Sequence, residues 1–390
     1  YLIQATVRSD GSSKFGADNR WGVFPSIAVG WRICEEEFFP KGIALNNLKL
    51  RASWGRLGNE NALGYYDFLA LISTYNTKYQ GYVKGNGDNA WAGSIARGLE
   101  NRSLKWETTD TKNIGLDFGF FNNKLTGAMN YYYNQTEELL ITKALPPSAG
   151  LNNPILNVGK IRNSGVEVEI NWADSKGGFD YNIGMNFSTT KNKVVELADK
   201  GQVLYGEGLK YGTEHFPTQT RVGKPIGAFY LYKTNGLFQS NEEARQYVNA
   251  DGDEYQPFAD AGDIRFVDVN GDGSIDDDDK VYCGSGIPTL EVNLNFSAGY
   301  KGFDLSVVLG SAWGHKIYNG NKYFYEGMNS GSNFLTSSLN AWTPQNTNTN
   351  IPRAIFNDPN GNLKESDRFI EKGDFVRLRQ LQLGYTLPKK

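Results

Sequence analysis

Residues 166–188 read VEVEINWADSKGGFDYNIGMNFS and contain the pattern that decides the fold. Apolar residues occupy every second position on both sides of a short polar stretch, ADSKGG at 173–178. Alternation with a period of two places apolar side chains on one face of a β-strand and polar side chains on the other. The sequence therefore predicts two neighbouring strands, each with one apolar face and one wet face.

The same alternation recurs along the chain, for example at 114–120 and 290–300. Composition agrees, because 13% of the 390 residues are aromatic and 45 are glycine, which favours strands and tight turns over helices. Ten long strands are predicted, at about 1–9, 21–33, 47–56, 104–120, 125–141, 157–172, 179–195, 287–300, 303–314 and 374–387.

The connections between these strands fall into two classes. Short turns occur at 120–124, 173–178 and 300–303, whereas the intervening connections are long and polar. The long stretches lie at roughly 57–103, 142–157, 196–287 and 315–373. Short turns at one end of the strands and long loops at the other are typical of an outer-membrane β-barrel. We therefore predict an all-β fold, part of a large antiparallel transmembrane barrel.

Aromatic residues flank the short turns, among them Phe118, Trp172 and Tyr300. Such a position matches the aromatic girdle at a membrane interface. A soluble β-sandwich with aromatic residues at its ends is the alternative. No apolar run approaches the roughly 20 residues of a membrane-spanning helix, and a net charge of −3 gives no indication of nucleic-acid binding. Cys34 and Cys283 indicate neither a disulfide framework nor a zinc site.

The stretch DVNGDGSIDDDD at 268–279 has the spacing of a calcium-binding loop. Oxygen ligands are predicted at positions 1, 3, 5, 7, 9 and 12 of that loop, with glycine at position 6. An aspartate at position 12, in place of the usual longer glutamate, makes bidentate closure less certain, and an acidic loop without an ion is the alternative. A bound Ca²⁺ would be structural, and no organic cofactor is predicted. The predicted ligands are Asp268, Asn270, Asp272, Ser274, Asp276 and Asp279.

The long loops are rich in aromatic residues, which can stack on sugar rings or pack against a protein partner. The alternative is that these side chains only pack the loops together. The candidates for substrate or partner contact are Tyr65, Tyr66, Trp91, Tyr323, Phe324, Tyr325 and Trp342.

No catalytic residue is predicted. His215 and His315 lie in loops without a nucleophile motif, and the glycine-rich stretches lack nucleotide-binding spacing. A non-enzymatic role is therefore favoured.

Seven stretches of the sequence carry a resemblance to a known family. They are RSDGSSKFGADNRWGVFPSIAVGW (8–31), LKLRASWGRLGN (48–59), LKWETTDTKNIGLDFGFFNNKLTGAMNYYYNQT (104–136), VGKIRNSGVEVEINW (158–172), GKPIGAFYLYKTNGLFQS (223–240), GDIRFVDVNGDGSIDDDDK (262–280) and SDRFIEKGDFVRLRQLQLGYTLPKK (366–390). In this order, they resemble the SusC/RagA-type TonB-dependent outer-membrane transporters. The resemblance runs over nearly the whole chain and thins at 60–98 and 315–365.

The resemblance implies a 22-stranded barrel, of which residues 1–390 are the later part, with the plug and the last two strands outside the sequence. It also implies a location in the cell outer membrane, in contact with its lipid. Residues 196–287, with a β-hairpin and the calcium-type loop, and residues 315–373 are expected to be extracellular. The implied function is import of oligosaccharides, glycans or peptides, coupled to TonB through the N-terminal part, together with a SusD-type lipoprotein. A secreted calcium-stabilised binding module and a passive porin are the alternatives.

Overall fold

A computed structural model describes most of the chain, and it divides into two compact units. The sheet unit comprises Tyr1–Gln202, Val292–Gly310 and Leu378–Lys390, and the loop unit comprises Val203–Glu291 and Ser311–Arg377. No helix within the described part has the length and apolar character needed to cross a membrane. The described residues are 1–74, 83–84, 91–92, 94–96, 98–143, 145–206, 208–211, 213–328 and 333–387.

Ten long strands form one antiparallel sheet in the order of the chain, from β1 to β10, and the segment Lys191–Glu196 pairs additionally with β6. The first and last strands do not pair with each other among the described residues, so the sheet is open. The strands are Leu2–Gly11 (β1), Trp21–Arg32 (β2), Leu45–Asn59 (β3), Glu107–Phe120 (β4), Leu125–Glu137 (β5), Lys160–Lys176 (β6), Phe179–Thr189 (β7), Leu290–Tyr300 (β8), Phe303–Trp313 (β9) and Phe375–Tyr385 (β10).

All ten predicted strands are present, which confirms the predicted fold class. Three strands begin three residues later than predicted, namely β4 at Glu107, β6 at Lys160 and β8 at Leu290. Leu104 packs in a buried cluster with Phe15 and Leu63 instead of entering the sheet.

The short connections are tight turns with left-handed backbone. Gly177 and Gly178 join β6 to β7 with φ of 61° and 80°, and Lys301 and Gly302 join β8 to β9 with φ of 47° and 87°. Two consecutive residues with positive φ are typical of type I′ hairpins, whose twist matches that of the flanking strands. The turn 121–123 between β4 and β5 also has positive φ throughout.

The apolar face of the sheet is not covered by protein. Ile114 is 60% exposed, Met129 50% and Ile183 42%, and no apolar side chain of 166–172 or 290–300 is buried. A soluble sandwich would bury these side chains in a dry core. The exposure therefore favours lipid as their surroundings.

The opposite face carries polar pairs that run across neighbouring strands. The Arg51 Nε donates to Asp117 Oδ1 at 2.8 Å, and the other end of the guanidinium donates to Asn130 Oδ1 at 2.6 Å. Lys49 Nζ lies 3.6 Å from Asp117 Oδ2. This face is therefore polar and partly solvated, as predicted.

The remaining elements are short. Among the described residues, two helices lie in the loop unit, Asn241–Arg245 (α1), capped by the Ser240 hydroxyl, and Gly320–Tyr325 (α2). Short 3₁₀ segments are Ala17–Asn19, Ile33–Glu35, Pro147–Ala149, Asp277–Asp279, Thr336–Asn340 and Asp367–Phe369. Short strands are Ile72–Thr74, Val83–Lys84, Trp91–Ala92, Ser94–Ala96, Leu140–Thr142, Ile155–Asn157, Leu204–Tyr205, Leu209–Tyr211, Thr213–His215, Thr218–Thr220, Ala228–Leu231, Thr234–Leu237, Ile264–Phe266, Val281–Gly284, Lys316–Tyr318 and Ile370–Lys372.

Candidate functional site

The calcium-type loop is flanked by strands rather than helices. Ile264–Phe266 precedes it and pairs with Thr234–Leu237, and Val281–Gly284 follows it. A pair of helices that opens on calcium binding is therefore absent from this part of the structure. Such a loop can order its surroundings, but it has no helix pair to move.

The first half of the loop is wound by its own side chains. The Asp268 carboxylate accepts the N–H groups of Gly271 and Gly273, at 2.6 and 2.9 Å. Asn270 Oδ1 accepts from the Asp272 N–H at 2.9 Å, and Asp272 Oδ1 accepts from the Ser274 N–H at 2.9 Å. Gly273 has a φ of 90°, which explains glycine at position 6.

Asp279, at position 12, closes the loop through backbone hydrogen bonds. Its side chain is fully buried, and its Oδ1 accepts from Val269 and Asn270 at 2.7 and 3.3 Å. Its Oδ2 accepts from the Asp276 N–H at 2.9 Å. Three N–H groups thus occupy the carboxylate that would otherwise close on an ion.

The fit of this loop to a cation is incomplete. Among the described residues, no three His, Cys, Asp or Glu side chains are gathered as a metal-ligand set. Burial opposes ionisation of Asp268, yet the N–H groups of Gly273 and Gly271 outweigh it and lower the pKa of that carboxyl. Asp268 therefore presents ionised oxygens that backbone donors already engage.

Two of the predicted aromatic contact residues are in the packed interior. Tyr323 is 1% exposed and packs with Leu363 and Phe369, with Phe324 at the edge of the same cluster. Trp342 is 8% exposed and packs against the cluster that contains Phe266. Their position supports the alternative that these rings pack the loops together.

Three other predicted contact residues are exposed. Tyr65 and Tyr66 in the sheet unit are 74% and 58% exposed, and Tyr325 in the loop unit is 47% exposed. Trp91 lies in a two-residue strand, and its side chain is outside the described residues. These exposed tyrosines remain the candidates for substrate or partner contact.

The loop unit contains a buried ionic cluster that the sequence did not indicate. Glu365 accepts from Lys280 Nζ at 2.6 Å and lies 2.7 Å from His215 Nδ1. Lys280 also lies 2.8 Å from Asp277, which accepts the Tyr232 hydroxyl at 2.9 Å. Burial opposes ionisation of Glu365, but its bonds to His215 and Lys280 prevail and lower its pKa to about 2.

This cluster attaches the calcium-type loop to a distant segment. Asp277 lies within the loop, at a position that supplies no calcium ligand, and Lys280 and Glu365 are 85 residues apart in the chain. No local pattern marks such a cluster, because its members meet only when the loops fold. A motif search therefore has no signal by which to find it.

A second buried cluster also joins segments that are far apart in the chain. Asp263 is fully buried and accepts Arg353 Nε and Nη2 at 2.9 and 2.8 Å. Asn362 Nδ2 donates to Asp263 at 2.9 Å, and the Ile264 N–H donates to Asn362 Oδ1 at 2.8 Å. The predicted loops 196–287 and 315–373 are thus joined by buried polar groups.

The model of the family described as "TonB dependent receptor-like, beta-barrel" matches residues 1–230. The chain belongs to the TonB-dependent receptor family. Proteins of this family reside in the outer membrane.

Two curated relatives match the chain from end to end. A TonB-dependent receptor of Formosa agariphila is 31% identical and is matched over 100% of this chain and 37% of its own length. The TonB-dependent receptor SusC of Bacteroides thetaiotaomicron is also 31% identical, over 99% of this chain and 36% of its own length. The resemblance to SusC-type receptors is therefore confirmed, and the chain spans a little over a third of these relatives.

Solved structures of the RagAB peptide transporter share the fold. One aligns with a TM-score of 0.77 and 24% identity, over 99% of this chain and 39% of that chain. The open sheet of ten strands therefore has the fold of a portion of that longer chain. The curated relatives are named as receptors and not as enzymes.

Proposed function

We propose that this chain forms part of a TonB-dependent importer of the bacterial outer membrane. The observation that carries the proposal is the two-faced sheet, with uncovered apolar side chains on one face and ion pairs such as Arg51–Asp117 on the other. A barrel wall between lipid and water requires that division. Membership of the TonB-dependent receptor family supports the coupling to TonB.

The cargo is an oligosaccharide, a larger glycan or a peptide, taken up with a SusD-type surface lipoprotein. The relative named SusC and the fold of the peptide transporter support these two cargo classes. In this proposal the polar face borders a watery passage, and the long loops are extracellular. The exposed rings of Tyr65, Tyr66 and Tyr325 stack on sugar rings or pack against the lipoprotein.

Uptake of labelled substrate by cells that express the intact receptor tests this function. Deletion should abolish uptake of one oligosaccharide or peptide, and an uncoupler of the proton gradient should do the same. Uptake that continues without the gradient would indicate a passive porin. Recovery of the protein from the medium rather than the outer membrane would indicate a secreted binding module.

A matched pair of loop variants tests the recognition surface. Tyr325→Ala removes an exposed predicted contact ring, and Phe356→Ala removes another ring of the loop unit, 70% exposed, with no predicted contact. We expect uptake or lipoprotein binding to fall several-fold with Tyr325→Ala only. Equal behaviour of the two variants would remove the recognition role.

We also propose that the loop 268–279 takes a structural Ca²⁺, supported by its ligand spacing and by the ionised Asp268. The ion would displace N–H donors that now occupy these oxygens, so we expect weak binding, with a Kd of about 10⁻⁴–10⁻³ M. Calorimetry on the intact receptor should show this binding lost in Asp272→Ala and kept in Asp251→Ala. Equal calcium affinity in all three proteins would remove the assignment.

A further inference from the structure

The outward face of the sheet changes character along the strands. Cross-strand partners form rows, and the row Leu116, Met129 and Val168 is apolar. Two rows nearer to the long loops on the same face, Lys112 of β4 lies opposite Tyr133 of β5, and Tyr133 lies opposite Ser164 of β6. Because cross-strand partners share a face, the charged rows continue the apolar face and not the polar one.

We call the cationic residues of these outer rows the basic belt. Arg56 pairs in register with Asp110, Arg162 with both Gln135 and Lys193, and Ser164 with Lys191. The belt comprises Arg56, Lys112, Lys160, Arg162, Lys191 and Lys193, and the carboxylates on the same rows are Asp110, Glu137 and Glu196.

Two of these cations have carboxylate partners. Both ends of the Arg56 fork contact Asp110 at 2.8 Å, and Lys160 Nζ lies 3.0 Å from Glu137. Within the described part of the chain, the other four belt residues form no ion pair: Lys112, Arg162, Lys191 and Lys193. The belt therefore has a surplus of positive charge.

Arg162 is the centre of that surplus. Its guanidinium lies over the Tyr133 ring at 5.0 Å, and one nitrogen donates to Gln135 at 3.3 Å. Its Nε is buried and has no hydrogen-bond partner, and the directly opposed residue on the next strand is Lys193. Like charges placed directly opposite are destabilising, so an anion between them would offset the repulsion.

We propose that the basic belt binds the phosphate groups of an anionic glycolipid in the leaflet next to the long loops. The guanidinium fork of Arg162 and the lysine ammonium groups are the donors that phosphate oxygens accept most strongly. The apolar rows beside the belt provide the surface for acyl chains, which free phosphate does not need. The inference rests on the proposed position of this sheet in the outer membrane.

Retention of phosphorylated lipid A by the intact receptor in detergent tests the belt. The variant combines Arg162→Gln, Lys191→Gln and Lys193→Gln. The matched control is Lys176→Gln, since Lys176 lies on the same face of β6 but at the short-turn end. Native mass spectrometry would compare bisphosphorylated lipid A, dephosphorylated lipid A and inorganic phosphate, with heat-modifiable gel migration as the check of folding.

We expect the triple variant to retain bisphosphorylated lipid A at least about tenfold less than wild type, because three near-surface charges are lost. The control should match wild type, and dephosphorylated lipid A should not distinguish the proteins. Equal retention by folded wild type and triple variant would overturn the inference, as would equal displacement by inorganic phosphate. Failure of wild type to insert into membranes would instead overturn the proposed function.

Discussion

In the sheet unit, Arg51 and Asp117 pair at 2.8 Å with side chains 33% and 26% exposed, whereas in the loop unit Lys280 and Glu365 pair at 2.6 Å with 4% exposure each. The sheet unit leaves apolar side chains exposed, and its ion pairs are partly exposed to solvent. Four of the five packed clusters of the described residues lie in the loop unit. The comparison shows that the loop unit builds its own packed interior, whereas the sheet unit leaves its apolar side chains to its surroundings, which we propose are lipid.

The largest expected effect is in the buried cluster of the loop unit. Glu365→Ala removes the buried one of the two carboxylates that contact Lys280, and breaking a buried ion pair costs about 3–5 kcal/mol. Hydrogen exchange at the Tyr232 amide, which donates to the Glu365 carbonyl at 3.0 Å, should accelerate strongly. The control is Glu371→Gln, whose 46% exposed side chain pairs with Lys322. Similar exchange in both variants would contradict the contrast between buried and exposed pairs.

Lowering the pH tests the same buried cluster of the loop unit. The pKa of Glu365 is lowered to about 2, against about 4.3 in an unfolded chain. Its contribution to stability is therefore complete above about pH 4.3 and is lost as the pH falls towards 2. Protection of the Tyr232 amide should fall over that range in wild type and stay flat in Glu365→Gln. A flat wild-type profile would be inconsistent with an ionised, buried Glu365.

The next effect tests which face of the sheet meets lipid. Val168→Arg places a charge in the apolar row and should cost about 2–4 kcal/mol of folding free energy in a bilayer. Glu169→Arg, one residue further along β6, points to the polar face and should cost little. Folding into lipid vesicles, followed by urea titration, measures both. The reverse order of costs would show that the two faces are exchanged.

A third effect concerns the buried cluster of Asp263 and Arg353, which joins the two long loop regions. Asp263→Asn removes the negative charge that accepts two hydrogen bonds from Arg353. A hydrogen bond to a charged group is worth about 1.5–3 kcal/mol. Limited proteolysis of the intact receptor should then cut within 256–266 or 351–362 more rapidly. Asp251→Asn, at an exposed position of the same unit, serves as the control and should leave the cleavage rate unchanged.

The smallest effect is on the polar face of the sheet. Arg51→Gln breaks a partly solvated pair, and such pairs contribute about 0.2–1 kcal/mol. The urea midpoint in vesicles should move far less than with Val168→Arg. A shift as large as that of Val168→Arg would show that the polar face is dry, contrary to the proposed passage.

The strands were predictable because their signal is local. Within 166–172, the polarity of each residue indicates the face of the strand on which its side chain lies. The ten long strands that follow from such patterns pair in the order of the chain. The packing of the loops was not predictable in the same way. Tyr323 and Tyr325 are both aromatic residues of one short helix, yet one is 1% and the other 47% exposed. Their surroundings depend on segments far away in the sequence.

The amino-acid sequence alone determined the number and direction of the long strands, the two faces of the sheet, the short turns and the family. These features arise from periodicity and turn chemistry between neighbours in the chain. Only the tertiary structure decided that Asp279 accepts hydrogen bonds from backbone N–H groups, that Glu365 contacts Lys280 and His215, and that Arg162 lies opposite Lys193. The reason is physical, since burial and charge pairing are properties of the space into which distant segments fold.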